Sequence, residues 1–352
     1  MTFRNRLTGR SSRTLWSAVF AVVCLTIAAG CGSSNDSSSN SSTAGSTTTG
    51  SAKGKSVILV DGAPADPFIA AYNRSFTNAL KAKGVKVSVL SNNFDSAVEQ
   101  QKLNQAISKR PSLIAVAVQD ATAVAAPFAK AKQAGIPVVI VINPASRRAV
   151  ALSSGQFLDN QANLGKFAAI NLQQGLAKAG VKSGNVIAIT GSASQLGVQQ
   201  RLEAFRKQMA KTPGLKIVEV QDGQWDPVKT GQISSQLFAK YRGKGGIKAA
   251  YGMSDLMAVS ITRSAKSAGL PVGVKSKGVI VSGSNCGPDG IKAIKAGTLY
   301  GGATQAPTTQ AARAADQILK LLSGQSVPKV QLFPVQRITA ANVDTLTEVC
   351  TY

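Results

Sequence analysis

Short, almost uninterrupted apolar runs alternate along this sequence with segments whose apolar residues recur at helical spacing. The first run, 56–61, reads SVILVD, and Phe68, Tyr72, Phe76 and Leu80 follow it four residues apart. Strands that are apolar on both faces are typical of a parallel sheet covered by helices on both sides. The alternation therefore predicts an α/β fold built on parallel sheets.

The strand–helix units form two consecutive series, and a long helix predicted at 160–179 opens the second. The predicted strands are 56–61, 85–90, 113–118 and 138–142 in the first series, and 185–190, 216–220, 249–252, 278–281 and 299–304 in the second. Two such series indicate two doubly wound lobes. The length of 352 residues suits this, since a domain takes about 100–200 residues.

The first 30 residues have the organisation of a secretory signal. A basic stretch from Arg4 to Arg13 precedes an apolar stretch, 15–29, and then small residues lead into Cys31. Small residues before a cysteine resemble the lipobox of bacterial lipoproteins, in which that cysteine becomes the lipid-bearing N-terminus. We therefore expect an exported protein, lipid-anchored through Cys31 to the outer face of the cell membrane. Ordinary cleavage with Cys31 incidental is the alternative.

A polar segment follows the predicted lipidation site. Ser, Thr, Gly and Asn make up 19 of the 24 residues from 32 to 55. Because such a composition buries little apolar surface, we expect a disordered tether over 31–55 that holds the folded lobes off the membrane.

Charge and composition exclude several classes of function. Forty Lys and Arg against sixteen Asp and Glu give a net charge of +24, but no basic run carries interleaved aromatic residues. We therefore expect no nucleic acid partner, and a positive surface that faces an anionic envelope. The absence of histidine excludes His-dependent catalysis and His-ligated metals, and we expect no metal or cofactor.

Polar and aromatic side chains follow the predicted strands, where ligands of such sheets bind. No phosphate-binding glycine motif and no activated nucleophile stands among them, so we expect no catalytic residues. Carboxylates and amides hydrogen-bond hydroxyls, and aromatic rings pack on the apolar face of a sugar. The candidates by this criterion are Asp66, Phe68, Gln119, Asp120, Asn143, Asp159, Asn160, Trp225, Asp226, Ser254, Asp255, Asn285 and Gln305.

From residue 56 to 352 the chain resembles the periplasmic-type sugar-binding proteins of the ribose-binding class, the receptors of ABC importers. No single segment decides this, but nine occur in the family's order and spacing. They are SVILVDGAPADPF, LIAVAVQD, AGIPVVIVI, LDNQANLGKFAA, QRLEAF, DGQWDPVKTGQ, YGMSDLMAVSI, VSGSNCGPDGIKAIKAGTLYGGATQAP and RITAANVD.

The resemblance implies the type I periplasmic binding protein fold, with two lobes joined by a multi-strand hinge. Lobe 1 would comprise 56–158 and 306–335, and lobe 2 would comprise 159–305 and 336–352. It further implies ligand-contacting roles for Asp66, Phe68, Gln199, Arg201, Trp225, Ser254, Asp255, Asn285 and Gln305.

One departure from the family concerns the residues after the fourth strand. Ribose-type members carry Asp-Arg there, and both grip sugar hydroxyls; this sequence has Ile142-Asn143. A lost charge-assisted hydrogen bond is worth about 1.5–3 kcal/mol. We therefore expect a different polyol, a deoxy sugar or a less hydroxylated compound.

Several candidates have an alternative interpretation. Phe68 continues the apolar stripe of its helix and so is also a candidate core residue. Asp255 is also a candidate helix cap. Arg201 is also a candidate for a surface salt bridge.

Two cysteines remain in the exported part of the chain, an oxidising location. Cys286 follows a predicted strand near the cleft, and Cys350 lies near the end of the sequence. A disulfide that pins the tail to lobe 2 is one expectation, and two separate thiols are the other.

The function expected is capture of a small polar ligand, a sugar or polyol, and its delivery to ABC permease subunits. An envelope sensor that presents the ligand to a membrane receptor or kinase is the alternative. A transcription regulator shares the two-lobed fold, but a signal and a tether stand here where its DNA-binding helices would be.

Overall fold

Two six-stranded sheets organise residues 50–352, which are those that the computed structural model describes. The strands are β1 (Ser56–Asp61), β2 (Lys86–Ser91), β3 (Leu113–Val116), β4 (Val138–Val141), β5 (Gly155–Asp159), β6 (Gly184–Thr190), β7 (Leu215–Asp222), β8 (Ile247–Gly252), β9 (Ile280–Ser282), β10 (Gly301–Ala303), β11 (Val330–Phe333) and β12 (Arg337–Thr339). The helices are α1 (Pro67–Lys81), α2 (Ser96–Ser108), α3 (Ala125–Gln133), α4 (Arg147–Leu152), α5 (Gln161–Lys178), α6 (Leu196–Met209), α7 (Pro227–Tyr241), α8 (Asp255–Ser267), α9 (Pro288–Lys295), α10 (Pro307–Leu322) and α11 (Val343–Cys350).

The two sheets have the same strand order. Sheet 1 runs β2-β1-β3-β4-β5-β11 and is parallel throughout, whereas sheet 2 runs β7-β6-β8-β9-β10-β12 and pairs β10 with β12 antiparallel. We call sheet 1 with its helices lobe 1, and sheet 2 with its helices lobe 2. The predicted fold class of two parallel-sheet α/β lobes is confirmed; the residue limits of each lobe stay a prediction.

Apolar residues alternate between the two faces of each sheet. In β1, Val57 and Leu59 pack in one core cluster of lobe 1, while Ile58 and Val60 pack in the other. In β6, the pairs 187/189 and 186/188 divide in the same way between the two clusters of lobe 2. Two covered faces explain why these strands are apolar without a break.

The structure differs from the predicted strands mainly on one side of each sheet, at the edge strand and its neighbour. β5, β11 and β12 were not expected, and the strand predicted at 299–304 shortens to β10. In β5, Gln156 is buried because its Oε1 accepts from the amide N–H of Ala145, at 3.1 Å. A polar residue satisfied in this way interrupts the apolar run that marks the other strands.

Ordered structure also begins before the predicted end of the tether at 55. Ala52 is 8% exposed and packs in the core of lobe 1, and the amide of Gly54 donates to the carbonyl of Gly84 at 2.9 Å. The polar composition of residues 32–55 predicted a tether up to residue 55. The end of this segment is nevertheless ordered, because the methyl group of Ala52 and the backbone bond of Gly54 attach it to lobe 1. The predicted signal, Cys31 and the rest of the tether lie outside the described residues.

Within residues 50–352, none of the helices has the length and apolar character that crossing a bilayer requires. The same range contains no cluster of three or more acidic or thiol side chains placed to hold a metal ion.

Candidate functional site

A cavity of about 230 Å³ lies between the lobes, at the carboxyl ends of the strands. In a sheet of order 2-1-3-4-5 the crevice opens where the first and third strands diverge, and both lobes have this order. The cavity is smaller than the roughly 300–1,000 Å³ of drug-sized pockets, which favours a compact ligand. Ten of the predicted residues line it: Asp66, Phe68, Gln119, Asn143, Arg201, Trp225, Ser254, Asp255, Asn285 and Gln305.

Five predicted residues lie outside the cavity lining, and two of them, Gln199 and Asp120, are occupied with their own backbone. Gln199 is exposed, and its side-chain amide folds back to the carbonyl of Ala193 at 2.9 Å. The carboxylate of Asp120 caps the turn that follows it by accepting from the amides of Thr122 and Ala123. The prediction that these two line the cavity is wrong, because each side chain serves its own backbone.

Gln195, one helical turn before Gln199, takes the place expected for Gln199. It is 1% exposed and lines the cavity. Its Nε2 donates to Oε1 of Gln119 at 2.5 Å, and its Oε1 accepts from the indole of Trp225 at 2.8 Å. Since Gln119 lies in lobe 1 and Gln195 in lobe 2, this bond also joins the lobes.

The indole of Trp225 is held on three sides. A Cβ at Gly191 would lie 1.9 Å from Cε2, so the ring lies against a position where only glycine fits. The guanidinium of Arg201 is 5.5 Å from the ring centroid, within cation–π range. Trp225 itself has a φ of 63°, and the preceding Gln224 has 54°.

Phe94 is the counterpart of Trp225 in lobe 1, and the sequence analysis missed it. Its φ is 63°, and a Cβ at Gly62 would lie 2.3 Å from its Cε1. The signal was present: Phe94-Asp95 repeats Trp225-Asp226, an aromatic residue before an aspartate that caps the next helix. Phe68 also lines the cavity and packs partly on the lobe 1 core; its contact with a ligand stays a prediction.

Arg201 is buried at 3% exposure, which excludes the surface salt bridge. Its Nε donates to Gln161 at 2.7 Å, Nη1 to the carbonyl of Met253 at 3.3 Å and Nη2 to Gln305 at 3.0 Å. All three acceptors are neutral. Burial lowers the pKa of Arg201, and the negative charge of Asp159 counteracts part of this.

Asp255 is not the cap of α8, because Ser254 fills that role with its hydroxyl 3.3 Å from the amide of Met257. Asp255 is 5% exposed, and its Oδ2 accepts from the amide of Gly287 at 2.8 Å. Desolvation raises the pKa of this carboxyl well above its usual range.

A second buried acid, Asp61 at the end of β1, lines the cavity and was not predicted. Its Oδ1 accepts from the amide of Gly62 at 2.6 Å, and burial raises its pKa to about 7. Behind it, Glu99 accepts from the amide of Gln119 at 2.8 Å and so fixes that residue; burial raises the pKa of Glu99 to about 8. Asp61 was not among the predicted site residues because it is the last residue of the predicted strand 56–61.

Three residues that line the cavity each have a buried side-chain oxygen without a hydrogen-bond partner. Within residues 50–352, Oδ2 of Asp61, Oδ1 of Asp255 and Oδ1 of Asn285 are buried and have no partner. Buried polar atoms are normally paired, so these three oxygens call for a donor. Arg201 uses three of its five N–H groups in the bonds described above, which leaves two.

Ile142 and Asn143 line the cavity at the position where ribose-type proteins carry Asp-Arg. Asn143 is 7% exposed, and Ile142 adopts a φ of 62°. Of the other strand-end candidates, Asn160 and Asp226 cap α5 and α7. Asp159 is buried at 4% exposure outside the cavity lining.

Cys286 and Cys350 are joined as a disulfide, with their Cα atoms 4.7 Å apart. Both are buried, at 1% and 0% exposure. The bond lies beside the cavity, because Cys286 directly follows Asn285.

Comparison with known proteins gives three kinds of match. The sequence profile described as "Periplasmic binding protein domain" matches residues 57–326. The ribose import binding protein of Haemophilus influenzae is 25% identical over 69% of this chain and 77% of its own length. The D-apiose import binding protein of Paraburkholderia graminis is 24% identical over 82% and 89%.

Solved structures agree in fold. A galactofuranose binding protein superposes with a TM-score of 0.77 at 17% identity, covering 84% of this chain and 98% of its own. The Caulobacter myo-inositol binding protein superposes with a TM-score of 0.76 at 20% identity, covering 84% and 96%.

Proposed function

The chain belongs to the periplasmic binding protein domain family, and on that premise we propose that it captures a sugar or polyol for an ABC-type importer. Its setting is extracytoplasmic, as the family name states. Proteins of this family bind rather than convert their ligands, so the prediction that the chain is not an enzyme is confirmed.

The three unpaired acceptor oxygens of Asp61, Asp255 and Asn285 carry the proposal for the ligand class. Asn285 would accept a hydrogen bond from a ligand hydroxyl, and each buried carboxyl would accept one or, when protonated, donate one; a compound with several hydroxyls can do both at once. The rings of Phe94 and Trp225, one from each lobe, supply apolar surface for the C–H faces of such a compound.

Arg201 favours a neutral ligand over a cation. A diamine would also donate to the three oxygens, but it would bring its charge near a buried guanidinium in a site of low dielectric. The two unused N–H groups of Arg201 instead suit hydroxyl or ring oxygens.

Capture works by closure of the lobes on the ligand. The lobes already touch through Gln119, whose side chain bonds Gln195 and whose carbonyl accepts from Ser194 Oγ at 3.1 Å. A ligand that contacts Asp61 on one side and Asp255 on the other binds the closed form better, and so shifts the population towards it. The permease would then distinguish the closed shape from the open one.

The anchoring of the protein is a finer proposal and rests on the sequence alone. We propose that Cys31 carries lipid and holds the lobes at the outer face of the membrane. Cys31→Ser should abolish metabolic labelling with palmitate. Labelling that persists in this variant contradicts the lipid site.

A ligand screen tests the proposed function. We expect at least one of ribose, D-apiose, D-allose and myo-inositol to raise the melting temperature of the purified protein, and putrescine to leave it unchanged. Asn285→Ala should weaken the binding measured by calorimetry, while the exposed Gln199→Ala serves as the matched control. Stabilisation by putrescine and by none of the polyols would contradict the ligand class.

A further inference from the structure

The last residues of the sequence fold back onto the ligand cavity. α11 packs against α9 and ends at Cys350, which is bonded to Cys286. Two residues further on, the half-buried Tyr352 lines the cavity. No strand end leads to this position, so Tyr352 reaches the cavity only by way of the tail.

The hydroxyl of Tyr352 lies directly over the loop that carries the disulfide. A Cβ added at Gly287 would be 2.9 Å from Oη. Gly287 follows Cys286, and its amide donates to Asp255, whose other oxygen is one of the three without a partner. The tyrosine, the disulfide and a ligand-facing acid therefore form one contiguous group.

The hydroxyl is protonated and is available as a donor to a ligand. Burial, and then the carboxylates of Asp255, Asp66 and Asp289, raise the pKa of Tyr352 above its usual value. Of these acids, Asp66 lies at the start of α1 in lobe 1, and Asp289 lies in α9 of lobe 2. The ring therefore lies where the two lobes face each other.

Tyr352 is a wall of the cavity and does not fill it, since the cavity of about 230 Å³ remains with the ring in place. A ring with a protonated hydroxyl complements the acceptors around it. It offers an apolar face and one donor in a site that is otherwise rich in oxygen acceptors.

We propose that Tyr352 is a ligand-contacting residue of the binding site and that the Cys286–Cys350 disulfide is the device that positions it. The ring contributes affinity for compact polyhydroxylated ligands, and it does so only while the tail is fastened. This inference rests on the proposed function for its ligand class, but not for the position of the ring.

The binding arm uses whichever of ribose, D-apiose, D-allose and myo-inositol stabilises the protein. Tyr352→Ala should weaken its binding by about thirtyfold or more, as truncation of an aromatic anchor does. Tyr352→Phe, which keeps the ring and loses one hydrogen bond, should weaken it by about three- to tenfold. Glu348→Ala, on the exposed side of α11 and outside the cavity lining, is the matched control and should leave affinity unchanged.

A double-mutant cycle separates positioning from general stability. Cys286→Ser with Cys350→Ser should weaken binding to a similar extent as Tyr352→Ala, and Tyr352→Ala added to that pair should have little further effect. A merely structural disulfide would give independent, additive losses. Additivity, or unchanged affinity in Tyr352→Ala, overturns the proposal.

A ligand-free arm keeps the two proposals distinguishable. Nitration of tyrosines by tetranitromethane, mapped by peptide mass spectrometry, should modify Tyr352 slowly in the oxidised protein and faster after reduction. Tyr300, which packs on the lobe 2 core away from the disulfide, should be unaffected by reduction. If none of the four polyols binds, the proposed ligand class is wrong, but the nitration experiment still tests whether the disulfide positions Tyr352. Equal nitration of Tyr352 before and after reduction overturns the placement.

Discussion

Phe94 in lobe 1 and Trp225 in lobe 2 line the cavity from equivalent positions, but the two rings are held differently. In lobe 1 the ring of Phe94 lies against Gly62, and in lobe 2 the ring of Trp225 lies against Gly191. Both rings follow the second strand of their lobe in a left-handed backbone turn. Only Trp225 has a polar atom to fix it, through the bond from its indole to Gln195.

The difference extends beyond the rings. Lobe 2 carries the buried Arg201, one buried acid, Asp255, and the disulfide, whereas lobe 1 carries three buried acids, Asp61, Glu99 and Asp159. A ring fixed by a hydrogen bond and a guanidinium loses less freedom on binding than one fixed by packing alone. We therefore expect lobe 2 to set the orientation of the ligand and lobe 1 to adapt to it on closure.

The disulfide gives the largest expected contrast between the lobes. It closes a loop of 64 residues within lobe 2. Replacing both cysteines by serine should lower the free energy of unfolding by roughly 4 kcal/mol on the chain-entropy model. Urea unfolding measures the loss, and hydrogen exchange should show faster opening in lobe 2 than in lobe 1. Equal acceleration in both lobes, or two alkylatable thiols in the unreduced wild type, would contradict this asymmetry.

Truncating the two rings tests whether Trp225 matters more to binding. Trp225→Ala should weaken ligand binding by about 2–4 kcal/mol, the range of a buried aromatic anchor. Phe94→Ala should cost about 1–2 kcal/mol, since only partial apolar burial is lost. Calorimetry with the ligand from the polyol screen measures both.

The melting temperature of the ligand-free protein is the control for both rings. It should change little in Trp225→Ala, because the ring is only half-buried. If this variant unfolds the ligand-free protein while binding survives, Trp225 is a core residue. Equal losses of affinity from the two rings would remove the distinction between the lobes.

Two buried acids of lobe 1, Asp61 and Asp159, make the stability of that lobe depend on pH. Burial raises the pKa of Asp61 and of Asp159 to about 7, so between about pH 4 and 7 the folded state holds protons that the unfolded state has released. Each acid contributes fully to the free energy of unfolding below about pH 4. This contribution is lost as pH rises towards 7, at no more than about 1.4 kcal/mol per pH unit. Asp61→Asn should therefore flatten the fall in stability over this interval.

Urea unfolding at several pH values measures that slope. Asp120→Asn is the matched control, since Asp120 caps an exposed turn. A slope that is the same in wild type and Asp61→Asn would show that Asp61 does not hold its proton in the folded state.

The smallest effect concerns the bond that fixes Trp225. Gln195→Ala removes two neutral hydrogen bonds, one that fixes the Trp225 ring and one to Gln119. The loss of the bond to Trp225 should weaken binding by about 1 kcal/mol, or roughly fivefold. Gln199→Ala, one turn further along the helix and exposed, should have no effect. Fluorescence of Trp225 in a Trp16→Phe background reports both affinities. If Gln199→Ala weakens binding more than Gln195→Ala, then Gln199, and not Gln195, contacts the ligand.

The sequence predicted the architecture well because the two-faced burial of β1, β3, β4, β6 and β8 leaves an unmistakable apolar pattern. The sequence analysis missed β11 because an edge strand tolerates polar residues. It missed β5 because the buried Gln156, whose side chain is hydrogen-bonded, interrupts the apolar run. Short strands such as β12 cover only three residues, too few for any pattern to show.

The site was predictable to the extent that its residues follow strands. Asn143, Asp255, Asn285 and Gln305 were found by that rule. Gln195 was missed because a single helical turn separates it from Gln199, and sequence alone does not give the direction of a side chain. Tyr352 was missed because a tail brings it to the cavity and no periodicity encodes where a tail folds back.

The positions of β11 and β12 determine when each sheet can be completed as the chain is synthesised. These strands form one edge of each sheet, and only residues 334–336 separate them. A nascent chain that stops before 330 therefore leaves both sheets with an unpaired edge, which is a site for mispairing with other chains. Neither sheet has its full set of strands until almost the whole polypeptide has been synthesised, and both sheets then gain their last strand within ten residues, 330–339. We therefore expect both lobes to complete their sheets late and together, which suits a chain that is exported before it folds.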